Sequence, residues 1–101
     1  MPTQMAIANY NSIIEIKPGE EATVRLSHET WPSPWPDDTP MMLLAPHALL
    51  RVPAYGDGGE CVIELTKADT LFPQRSIGFS VCALYDGRMH RIASGQLRRA
   101  D

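Results

Sequence analysis

Three histidines, two cysteines and two pairs of adjacent carboxylates are the residues of this 101-residue chain that could do chemistry. His28, His47 and His90 stand far apart. Zinc sites draw ligands from short spacings such as Cys-x-x-Cys. Neither the histidines nor Cys61 and Cys82 are spaced that way, so each histidine reads as structural and no metal or other cofactor is expected. Glu20-Glu21 and Asp37-Asp38 are immediate neighbours. Neighbours in extended chain point to opposite faces, which makes such pairs poor partners for acid and base work. Covalent catalysis needs a nucleophile, a base and an orienting group in one place; no Gly-x-Ser-x-Gly or similar context marks one. Gly56, Gly58 and Gly59 have the composition of a phosphate cradle, but no Lys-Ser/Thr follows and no helix begins there. A phosphate loop needs both, so this segment reads as a β-turn. No catalytic residue is expected, and the chain is read as a protein other than an enzyme.

Composition narrows the classes further. Hydrophobic residues make up 44% and charged residues 21%, ordinary globular usage with enough apolar content for one packed core. The length suits a single domain, residues 1–101. A domain this small has little room for a deep cleft, so no small-molecule substrate is expected. The net charge of −3 argues against a surface that neutralises phosphates, and hence against nucleic acid. Arg88, Arg91, Arg98 and Arg99 are the one basic concentration and read as a solvated strand face and tail. No apolar run is long enough to cross a bilayer, and Met1-Pro2-Thr3-Gln4 lacks the features of a secretion signal. The expectation is a protein made and used in the cytoplasm, or in something assembled there, without membrane contact. In that setting Cys61 and Cys82 read as buried thiols rather than a disulfide.

Strand signals dominate the elements that must position these residues. Residues 5–10 and 12–16 are candidate strands, followed by the turn Lys17-Pro18-Gly19-Glu20. Ala22, Val24 and Leu26 alternate with polar residues, the period of a half-buried strand. Met41–Leu44 and Ala48–Tyr55 are apolar, with Pro46 and Pro53 restricting them to short or edge strands. Cys61, Ile63 and Leu65 share one face of the next strand. Thr66-Lys67-Ala68-Asp69 has the form of a capping box, and Pro73 limits it to one helical turn carrying Leu71 and Phe72 across a sheet end. Ser76–Leu84 and Met89–Arg99 flank Asp86-Gly87, a strong signal for a type I′ hairpin. A two-residue loop sets Val81 opposite Ile92 and Phe79 opposite Ser94, and a bulge at Gly95 returns Leu97 to the core face. These signals predict an all-β fold, a small antiparallel β-sandwich or barrel with a C-terminal hairpin.

Residues 28–47 interrupt the pattern. Trp31-Pro32-Ser33-Pro34-Trp35-Pro36-Asp37-Asp38-Thr39-Pro40 holds four prolines and both tryptophans. Proline donates no ladder hydrogen bond and holds its neighbours extended, so this is a long arm or loop. Trp31 and Trp35 can either cap their own sandwich or dock on another molecule. Proline lowers the entropic cost of reaching out and tryptophan is enriched at interface centres; Trp31, Pro34, Trp35 and Pro36 are therefore expected at a protein interface.

The run Ile63–Pro73, the strand Ile77–Leu84, the turn Asp86-Gly87-Arg88 and the ending Ser94-Gly95-Gln96-Leu97 together resemble a recurring phage module. It is the immunoglobulin-like N-terminal domain of baseplate upper proteins and of related small tail, neck and fibre proteins. The likeness covers about a third of the chain; Gln74-Arg75-Ser76 and the Trp-Pro segment depart from it. It implies an immunoglobulin-like sandwich in a virion structural protein that acts through repeated interfaces. Its partners would be copies of itself and other virion proteins, and its location the virion, after a stay in the host cytoplasm. A second class also suits a small acidic domain: a cytoplasmic inhibitor, encoded by a phage or prokaryote, that blocks a host complex. A third, a β-barrel enzyme or small-molecule binder, needs a cavity that this core can hardly spare.

Overall fold

The computed structural model describes residues 4–9, 12–36 and 38–100. Tyr10, expected in the first strand, and Asp37 of the carboxylate pair lie outside them. Eight strands carry the fold: β1 (Gln4–Asn9), β2 (Ile13–Ile16), β3 (Ala22–Ser27), β4 (Met41–Ala45), β5 (Leu50–Asp57), β6 (Glu60–Leu65), β7 (Ser76–Tyr85) and β8 (Arg88–Arg99). Hydrogen bonds join them into one sheet in the order β1-β3-β6-β5-β4-β7-β8-β2. The sheet has two antiparallel groups, β3-β6-β5 and β4-β7-β8. The β4–β5 hairpin joins them. The expected antiparallel pattern needs one correction, because β1 pairs β3 and β2 pairs β8 in parallel. Asn9 and Ile13 are four residues apart yet sit in strands at opposite ends of the strand order. Four residues span at most about 14 Å, so the sheet must roll nearly closed.

The core lies inside this roll. β3 alternates as expected, with Ala22, Val24 and Leu26 buried in one cluster with Ile63, Leu43, Val81 and Leu97. Each such aliphatic side chain contributes roughly 1.5–3 kcal/mol through burial. Pro53 stands in a strand that is central in the order, contrary to the edge expected. Its pairing with β6 begins only at Ala54, so at Pro53 the strand has a neighbour on one side, β4. That gives proline the half-free backbone it requires. β5 also runs on through Gly56 and Asp57, and the turn shrinks to Gly58-Gly59.

The closing hairpin forms at Asp86-Gly87, both with positive φ (53° and 71°) as a type I′ turn demands. Its register departs from expectation beyond Cys82. Cys82 pairs with Arg91 but Val81 pairs with Ala93, so Ile92 is the extra residue and the bulge sits there, not at Gly95. Phe79 faces Gly95 and Ile77 faces Leu97. Gly95 is glycine for another reason. A Cβ there would collide with the Ser12 carbonyl, just before β2, and come within 3.1 Å of the Phe79 ring.

The capping box closes reciprocally: Thr66 N–H donates to Asp69 Oδ2 at 2.9 Å, and Asp69 N–H to Thr66 Oγ1 at 3.2 Å. Phe72 is buried as expected, whereas Leu71 is exposed.

Candidate interaction surface

The Trp-Pro segment, residues 28–40, is tied to its own domain rather than reaching away from it. Trp31 N–H donates to the His28 carbonyl at 3.1 Å and Trp35 N–H to the Gly58 carbonyl at 2.8 Å. The Trp35 side chain is 5% exposed and belongs to the core. It lies over Gly56, where any Cβ would fall 2.8 Å from indole Cδ1. Ser33 sits over Gly59 in the same manner. The two glycines therefore serve as a landing strip for the arm as well as a turn. Trp35 continues an aromatic row, 5.6 Å from Trp31 and edge-on to Tyr85 at 5.4 Å, with Tyr85 stacked on His90 at 4.1 Å. Of the four residues expected at an interface, Trp35 is withdrawn, because a side chain spent on the core offers no area to a partner. Trp31 is half-buried against the same core, while Pro34 and Pro36 remain on the surface. The arm also ends at Pro40, short of the boundary expected at residue 47, because β4 starts at Met41.

The chemistry-bearing residues stay scattered. His28 Nδ1 is 2.6 Å from Thr30 Oγ1, His47 lies in a short 3-10 turn, and His90 is under Tyr85. Cys61 and Cys82 are free thiols. Cys61 belongs to the core, and burial pushes its thiol up to about 12. Cys82 is half-buried on the outer face of β7. Among the described residues no group of three or more His, Cys, Asp or Glu could hold a metal, and no helix is long and apolar enough to cross a membrane.

One outer face is polar. Over β3, β5 and β6, Arg25 Nη1 bonds Asp57 Oδ2 at 3.1 Å and Glu60 Oε1 at 2.9 Å. The hydrogen bond to Asp57, then that to Glu60, raises the Arg25 guanidinium further. Tyr55 OH donates to Glu64 Oε1 at 3.1 Å, which raises the phenol. Val62 is completely buried between its cross-strand neighbours Arg25 and Tyr55.

The other outer face, over β4, β7 and β8, is apolar. Pairing places Pro53, Met42, Cys82 and Arg91 in one cross-strand row and Arg51, Leu44 and Ser80 in the next; Leu84 pairs with Met89 beside them. Met42 is 38%, Leu84 41% and Met89 65% exposed. Pro40, Met42, Leu44, Cys82 and Met89 line a shallow hollow of about 300 Å³. Sequence reasoning missed this face, although the signal was present. Met41–Ala45 is apolar at every position, and Val81–Tyr85 carries no charge. A strand with core on one side only has no need of apolar residues on the other. Contiguous apolar patches of this kind on small proteins commonly mark interaction sites.

Comparison of the chain with protein-family models and with curated proteins gives no match.

Proposed function

We propose that this chain is a non-enzymatic structural or adaptor component of a tailed-phage particle, working through contacts with its own copies and with other virion proteins. The assembly part of this reading rests on one observation, the exposed apolar face of Met42, Leu44, Cys82, Leu84 and Met89. Methionine is flexible and polarizable and adapts to a partner's surface, and a lone domain gains nothing from leaving such residues in water. The phage part rests on the likeness of residues 63–97 to the tail and neck module. The particle position could be tail, neck, fibre attachment or capsid decoration. The interface expected at the Trp-Pro arm moves to this sheet face, with Pro34 and Pro36 left as outlying surface.

Sedimentation of the purified protein across a concentration range tests the assembly part. The wild type is expected to form an oligomer, and Met42→Glu with Met89→Glu to reduce it to a monomer with little change in melting temperature, since both side chains already meet solvent. A wild type that stays monomeric would overturn the assembly reading and favour the inhibitor class. Mass spectrometry of purified particles tests the location: the chain is expected at a fixed copy number, and its absence from particles would overturn the virion assignment.

A further inference from the structure

We infer that the apolar face docks head to tail on a second copy of this chain, against the acidic face over β3, β5 and β6. The inference deepens the assembly reading and rests on it. Charge decides the geometry. Of the four arginines of β8, Arg91 shares the outer row of Met42 and Cys82, while Arg98 pairs with Glu15 of β2 and Arg88 with the core-packed Tyr85. Arg51 and Arg91 flank the methionines directly, through the rows Arg51–Leu44 and Met42–Cys82–Arg91. A two-fold contact would set this face on its own copy, as every isologous interface does. Such a contact brings Arg51 and Arg91 of one copy towards those of the other with no carboxylate in either row, and like charges across an interface are costly.

The complement is on the same chain. Asp57, Glu60 and Glu64 lie over the other half of the sheet, against one cation, Arg25. Arg25 bonds the first two, and Glu64 accepts from the hydroxyl on the exposed ring of Tyr55. That ring supplies the apolar and hydrogen-bonding centre that an interface anchor needs. The two faces meet along β5, which gives Arg51 and Pro53 to the apolar one and Tyr55 and Asp57 to the acidic one. Two contacts of standard size, about 800 Å² each per partner, would take roughly a quarter of the 6106 Å² surface. A face-to-other-face contact repeats, closing into a ring or extending as a filament.

Charge reversal distinguishes this arrangement from the alternatives by sedimentation at low and high salt. Arg91→Glu and Glu64→Arg are each expected to weaken self-association by about tenfold or more at low salt. Mixing the two variants restores it, because one keeps an intact acidic face and the other an intact basic one. The neutral variants Arg91→Gln and Glu64→Gln act in the same direction more weakly and cover any folding defect of the reversals. If Arg91→Glu strengthens association while Glu64→Arg is silent, the contact is two-fold and the head-to-tail geometry is overturned. An oligomer indifferent to all four substitutions overturns it as well, leaving the assembly reading intact. A wild type that never self-associates overturns both.

Discussion

The contact between Trp35 and Gly56 shows how a single residue settles whether an aromatic arm belongs to its own domain. The indole occupies the space in which a Cβ at position 56 would stand. Gly56→Ala is therefore expected to cost about 1–3 kcal/mol through overpacking, and Trp35→Ala about 3–5 kcal/mol through a cavity. Thermal unfolding should register both, while the native mass of Trp35→Ala stays that of the wild type. Assembly lost at an unchanged melting temperature would instead return the arm to an interface. Cys61 gives a second residue-scale expectation. Desolvation raises its thiol from 9.0 to about 12 in the folded protein. The unfolded chain therefore releases this proton first, so stability is full below about pH 9 and declines as pH rises from there towards 12. Melting curves across that range should show the decline, and Cys61→Ala should flatten it. At neutral pH an alkylating reagent should reach Cys82 and spare Cys61 until the protein unfolds.

Among the elements, a buried hydroxyl links the two short turns at one end of the sheet. Thr70 is fully buried; its Oγ1 accepts from Gly19 N–H at 3.0 Å and shares its proton between the carbonyls of Glu20 and Lys67, at 3.1 and 3.0 Å. It joins the β2–β3 turn to the capping-box turn fifty residues later in the chain. Thr70→Val keeps the shape and removes this hydroxyl from the Gly19 N–H and the Lys67 carbonyl, at an expected cost of about 1–3 kcal/mol. Urea unfolding measures it; a loss below half a kcal/mol would mean that water replaces the hydroxyl without penalty. The hairpin teaches a related lesson about register. Its turn type was legible because Asp-Gly tolerates two positive φ values. The bulge expected at Gly95 lies at Ile92 instead, because Gly95 is required by the close approach of the Ser12 carbonyl and the Phe79 ring, which no local pattern announces.

For the molecule as a whole, the nearly closed sheet leaves β1 and β2 as its two outer strands, and β1 covers the edge of β3 by parallel pairing. Removing residues 1–9 would expose that edge, and an unpaired strand edge invites association with another chain. The truncated protein is expected to melt earlier and to aggregate on warming, with its β content otherwise kept. Light scattering during a thermal ramp checks this. Unchanged melting and clear solutions would show that β1 contributes nothing to closure. This edge-driven aggregation is separate from ordered docking through the sheet face, since the Met42→Glu and Met89→Glu changes should leave it in place.

Local patterns determined most of the strands, the turns at Pro18-Gly19 and Asp86-Gly87 and the capping box, because each follows from interactions within a few residues. The period of two also identified the buried face of β3 and the shared face of Cys61, Ile63 and Leu65. What lies beyond the reach of a few residues was decided by tertiary structure. Parallel pairing of β1 and β2 depends on closure of the sheet, and the fate of Trp35 depends on a glycine twenty-one positions away. The apolar face was half visible in the run Met41–Ala45, yet assembling it needed the register that sets Met42 beside Cys82 and Leu84 beside Met89. Side chains announce their polarity in sequence; which of them share a surface is fixed only when distant strands pair.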